Sequence, residues 1–217
     1  MFQSILATLA FFIPAYLFGR AVFKVAKIAL PASAHFWADL MLGTVVQTLI
    51  IFFSCFVFSM TFPLVLGVEL VIFGLSLLFI EFKRKIASPQ KMLSKQIFVW
   101  IFLIILFTWL FGRALFYNKQ GSLVAGDRLV WVDWPLHIAM ATNFAYGANF
   151  PPQNPTFAGI PLIYPFMSDF LSAVFLVSGA TLPLSFAIPG IVLSLSFCGL
   201  FLSFGKVVFA KIVSRKS

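Results

Sequence analysis

IFVWIFLIILFTWLFGRALFY, residues Ile97 to Tyr117, is a run of apolar and aromatic side chains with one charge, at Arg113. As a helix it is about 30 Å long, which matches the roughly 30 Å hydrocarbon core of a bilayer. The whole chain is built in the same way. Of its 217 residues 62% are hydrophobic, 10% are charged and 30 are phenylalanine. A soluble core does not need that much apolar surface, so lipid is the solvent that explains it. The net charge of +9 does not indicate nucleic acid, because the basic residues flank apolar segments instead of forming a stripe on a polar fold. Membrane lipids are therefore the expected partner, and no protein partner is indicated. Cys55 and Cys198 both lie in apolar stretches, which argues against a disulfide framework or a thiolate metal site.

Six stretches read as spanning helices: Phe2 to Gly19, Leu40 to Phe62, Leu64 to Ile80, Ile97 to Tyr117, Leu162 to Ser178 and Leu184 to Phe204. The expected fold is an all-α, polytopic transmembrane bundle of about six helices with one long extracytoplasmic loop. The first span has no basic residue before it and carries Arg20, Lys24 and Lys27 after it, which favours an uncleaved helix with its N-terminus outside. Residues 81–96 hold Lys83, Arg84, Lys85, Lys91 and Lys95, so they too are expected in the cytoplasm. Alternation then puts residues 118–161 outside. It also puts the basic tail, Lys206 to Lys216, outside and against the same rule. Two things would remove the conflict: the fifth stretch does not fully cross, or the signal from Lys83 to Lys95 outweighs the tail. Glu69, inside the third stretch, would cost about 2.5 to 3.5 kcal/mol at mid-bilayer, so it is expected to face other helices or to be protonated.

No solenoid repeat or low-complexity linker divides the chain, but its composition shifts once. Residues 1–117 form four helices and 166–217 two more with a basic tail. Between them, 118–165 is polar, aromatic and proline-rich, as a functional loop would be. Within it, Asp133-Trp134-Pro135-Leu136-His137 predicts a helix from about Trp134 to Tyr146, lying along the membrane surface, with Asp133 and His137 one turn apart. The two could face one site. Asp133 before Trp-Pro is equally a helix cap, and a lone His near a membrane surface is more often structural. Trp131, Trp134 and Tyr146 suit an interfacial belt. After Gly147, the prolines from Pro151 to Pro155 predict extended backbone.

The run Asp133-Trp134-Pro135-Leu136-His137, Asn149-Phe150-Pro151-Pro152-Gln153-Asn154-Pro155, Phe157-Ala158-Gly159 and Pro161-Leu162-Ile163-Tyr164, continued by Asp169-Phe170-Leu171-Ser172-Ala173, resembles the first large extracytoplasmic loop of GT-C type polytopic glycosyltransferases. The resemblance implies transfer of a sugar from a polyprenyl-phosphate donor to an extracytoplasmic acceptor. It implies an acidic residue at the membrane surface, best matched by Asp133 with Asp127 in reserve, and His137 joins them as a catalytic candidate. It also makes Arg128, Tyr164 and Asp169 substrate-binding candidates. A carboxylate can take the proton of a hydroxyl acceptor, and a cation can steady the phosphate that leaves. Arg128 could supply that charge, or a divalent cation held by carboxylates. Against this, Arg128 also reads as a headgroup contact and Asp169 as a helix cap. GT-C enzymes have many more helices after this loop, so the chain is expected to be an N-terminal portion or, if complete, an inactive protein or a subunit without the donor-binding surface. The rival expectation is a non-catalytic multi-pass protein, a transporter component or an assembly scaffold, with 118–165 as a lid.

Overall fold

The computed structural model describes residues 2–79, 94–126, 132–157 and 159–214. Seven helices and one hairpin appear among them: α1 (Phe2–Val25), α2 (Ala32–Ser54), α3 (Phe62–Phe79), α4 (Ser94–Ala114), β1 (Leu115–Tyr117), β2 (Leu123–Ala125), α5 (Trp134–Tyr146), α6 (Met167–Val177) and α7 (Leu182–Ser214). Five of them, α1 to α4 and α7, are long and apolar enough to cross a membrane.

The fifth expected span forms only α6. Its 11 residues make about 17 Å of helix, well short of a bilayer core. Pro165 is the reason for the late start, since the residue before a proline is pushed out of the helical region and the helix begins only at Met167. Gly179, at φ 93°, ends it where an L side chain would be strained. The hairpin also departs from an all-α fold. Leu115 pairs with Ala125 and Tyr117 with Leu123, and the turn between them is held by Asn118 Oδ1, which accepts from the Gln120 and Ser122 amides.

The tightest helix crossing is between α1 and α2. A Cβ on Gly19 would strike the Asp39 carbonyl, and one on Gly43 the Ala15 carbonyl, so small residues let the two backbones meet. One turn further on, the buried Gln47 donates from Nε2 to the Phe11 carbonyl at 3.1 Å. Around this pair, α3 packs on α1, α7 on α2, and α4 on α7. Glu69 shares the buried face of α3 with Val65, Ile72 and Ser76, turned into the bundle as expected.

Contacts between helix ends give the bundle two distinct poles. At one, Lys24 Nζ donates to the Phe79 carbonyl at 3.0 Å, Ser203 Oγ to the Ser33 carbonyl at 2.9 Å, and Trp37 stacks on Trp100 at 4.6 Å. This pole gathers the end of α1, the start of α2, the end of α3, the start of α4 and the last third of α7. Arg20, Lys24, Lys27 and Lys206 belong to it. At the other pole Gly190 meets the Phe111 ring and Gly179 lies against Gln3. The rings of Phe52, Phe144, Phe150, Phe166 and Phe170 form a cluster there with centroids 5.1 to 6.1 Å apart. Since Phe166 just before α6 touches α2 near its end, and Gly179 just after α6 touches the first turn of α1, α6 starts and finishes at this second pole. Consequently α7 leaves from there and ends at the basic pole.

Candidate functional site

The second pole carries the polar residues of the loop. α5 runs from Trp134 to Tyr146, the bounds expected from its sequence, with Pro135 in the first turn where a missing N–H costs nothing. Its face of Met140, Ala141, Phe144 and Ala145 is buried against α6, whose Phe170, Ala173 and Val174 are buried in turn. Alanines at the contact let the two short helices approach closely, and this brings residues 32 apart in sequence together: His137 Nδ1 lies 2.9 Å from Asp169 Oδ1.

Asp169 does not cap α6. It lies in the first turn, 2% exposed, with Oδ1 on His137 and Oδ2 without a partner among the described residues. Burial pushes its carboxyl above the usual carboxylate range, and the adjacent His137 opposes that shift through its charge and hydrogen bond. An ionised Asp169 selects the imidazole tautomer with hydrogen on Nδ1. That leaves Nε2 as an acceptor on a side chain 28% exposed. The arrangement suits proton abstraction: the outer nitrogen takes a proton and the buried carboxylate stabilises the imidazolium.

Asp133 stands at the N-cap position of α5 but makes no side-chain cap bond, and its carboxylate is exposed. Its carbonyl accepts from the His137 amide at 3.1 Å, so Asp133 and His137 are successive on one face of the helix. Tyr164 presents its ring 6.0 Å from that of His137. Trp134 is half-buried. Its ring sits 5.2 Å from Phe186 in the first turn of α7, and its Nε1 is buried without a partner. The structure thus brings Asp133, His137, Tyr164 and Asp169 to one pole, while Asp127 and Arg128 lie outside the described residues. Among those described, no three His, Cys, Asp or Glu side chains gather as a metal site would require.

Two features were not read from the sequence. One is the direct His137–Asp169 pair, whose only sequence signal is an acid in the first turn of an apolar helix and a histidine in the preceding helix. The other is Arg113, the last-turn cation of α4, whose guanidinium lies 5.1 Å over the Trp109 ring at this same pole. The Gly126 backbone packs against the Arg113 carbonyl.

The FPPQNP segment is chiefly a brace. Asn149 Nδ2 donates to the Gln153 carbonyl and its Oδ1 accepts from the Gln153 amide, both at 2.9 Å. Asn154 Oδ1 accepts from both the amide and the hydroxyl of Thr156. The Leu162 amide closes the loop on the Pro152 carbonyl at 3.1 Å. No protein-family model, no curated protein and no solved structure matches this chain.

Proposed function

We propose that this chain is a membrane-embedded glycosyltransferase, or the site-bearing part of one, that moves a sugar from a polyprenyl phosphate to a hydroxyl acceptor. The observation that supports it best is the His137–Asp169 pair at 2.9 Å, with the exposed Asp133 carboxylate one turn before it and Tyr164 beside it. In this reading His137 Nε2 takes the acceptor's proton and the freed oxygen attacks the anomeric carbon. The bond from that carbon to the phosphate oxygen breaks, and polyprenyl phosphate departs with the electron pair. Asp169 is a positioning residue, since it acts through His137. In the same reading Asp133 orients the acceptor, and Arg113 or, as the resemblance implies, Arg128 meets the lipid phosphate. The basic pole faces the cytoplasm by the positive-inside rule, and the site then faces the opposite side.

The test is transfer in lipid nanodiscs from radiolabelled polyprenyl-phosphate sugars to a panel of hydroxyl acceptors. His137→Gln is expected to lower the rate about a hundredfold or more, the usual contribution of a positioned base. Transfer by His137→Gln at the wild-type rate, or no transfer by the wild type with any donor, would refute the assignment.

A further inference from the structure

We infer that the open cleft at the C-terminal end of α5 is a binding site for a neutral, polyhydroxylated ligand, that is, a glycan. Its volume of about 470 Å³ falls in the range of small-molecule sites. Its polar lining comes from Asn143, Asn149, Gln153, Asn154 and Thr156, and among the described residues no ionisable side chain contributes to it. A charged ligand would therefore find no counter-charge there. Amides offer donors and acceptors side by side, which is what hydroxyl groups need because each both donates and accepts.

The cleft is also held ready. Asn149 and Asn154 spend hydrogen bonds on the loop itself, and Phe150 anchors the loop in the aromatic cluster through Phe52, Phe144 and Phe170. By contrast the side-chain amides of Asn143 and Gln153 bond to nothing among the described residues, so they remain for a ligand. A site rigid before binding loses little freedom on association. Asn143 lies six residues beyond His137 on α5, about 9 Å along the helix axis. If the transfer reading holds, the cleft is where a glycan acceptor is gripped, but glycan binding itself requires neither donor nor catalysis.

The experiment uses the full chain in phosphatidylcholine nanodiscs with no donor. Saturation-transfer NMR would follow a neutral trisaccharide such as maltotriose, a sulfated trisaccharide and polyprenyl phosphate. The neutral sugar is expected to bind, and Gln153→Ala, which removes an exposed side chain without partners, should weaken it at least tenfold, as should Asn143→Ala. Gly74→Val, in open space on α3 and outside the cleft, should leave binding unchanged. No binding of neutral sugars, wild-type binding by both alanine variants, or a preference for the sulfated sugar would each overturn the site. A protein that binds the trisaccharide but never transfers sugar would keep the cleft and sink the transferase, whereas one that transfers without this binding would do the reverse.

Discussion

At the residue scale the decisive question is what Asp169 contributes to His137. Asn in its place keeps an oxygen to accept from Nδ1–H but carries no charge, so Asp169→Asn separates orientation from electrostatics. Burial disfavours the carboxylate. Asp169 therefore contributes stability that is fully present below its unfolded value of 3.8 and is lost as pH rises through the raised folded value. Removing the charge should thus leave the melting temperature at pH 7 unchanged or higher, while transfer falls about a hundredfold. A thermal melt and a rate assay on the same sample check both. The same shift predicts that transfer declines on acidification before an exposed carboxylate would titrate, as Asp169 takes up a proton. A pH–rate profile with its acid limb confined below pH 4 would contradict this. Asp133 makes the complementary case. Because it makes no cap bond, Asp133→Asn should not change stability, and any loss of transfer reports on the site alone.

At the element scale, close helix crossings should be far less tolerant of added bulk than lipid-facing positions. Gly43 meets the Ala15 carbonyl, whereas a Cβ on Gly74 of α3 has nothing within 4 Å. Gly43→Val should therefore cost about 1 to 3 kcal/mol or more through overpacking, read as a lowered melting temperature in detergent, with Gly74→Val close to neutral. Equal melting temperatures for the two would refute the crossing. Sequence reading succeeded where a local cue sets the structure. α5 was legible from Asp133, Pro135 and Gly147, and most of α4 from its apolar run, although the expected span continued to Tyr117, where Leu115–Tyr117 pair as β1 instead. It failed for α6, because apolarity reports compatibility with lipid and not length of helix, and the break at Pro165 falls inside a stretch that is otherwise long enough. The His137–Asp169 contact was illegible for another reason: it depends on how α5 and α6 pack, and no periodicity within either helix encodes that.

At the scale of the whole molecule, the number of crossings decides where the charges lie. With six crossings, Lys206 and the residues after it would stand on the side opposite Arg20, Lys24 and Lys27. With α6 confined to one pole, five helices of spanning length remain among the described residues, and α7 ends at the pole of the first basic cluster. The contact of Ser203 with Ser33 places α7 there independently of any charge rule. Among the described residues Arg20, Lys24, Lys27 and Lys206 belong to that pole, against Arg113 and Lys119 at the other. Such asymmetry is what orients a multi-pass chain. Single cysteines in a Cys55→Ala, Cys198→Ala background should therefore react in opposite senses: at Gln120, in the hairpin turn, with an impermeant maleimide from outside intact cells, and at Ser217 only after the membrane is opened. Labelling of Ser217 from outside would restore a sixth crossing and return the tail to the side of Asp133, His137 and Asp169. Labelling of Gln120 only after opening, with Ser217 accessible in intact cells, would keep the five crossings but invert the molecule, and would place the proposed site in the cytoplasm.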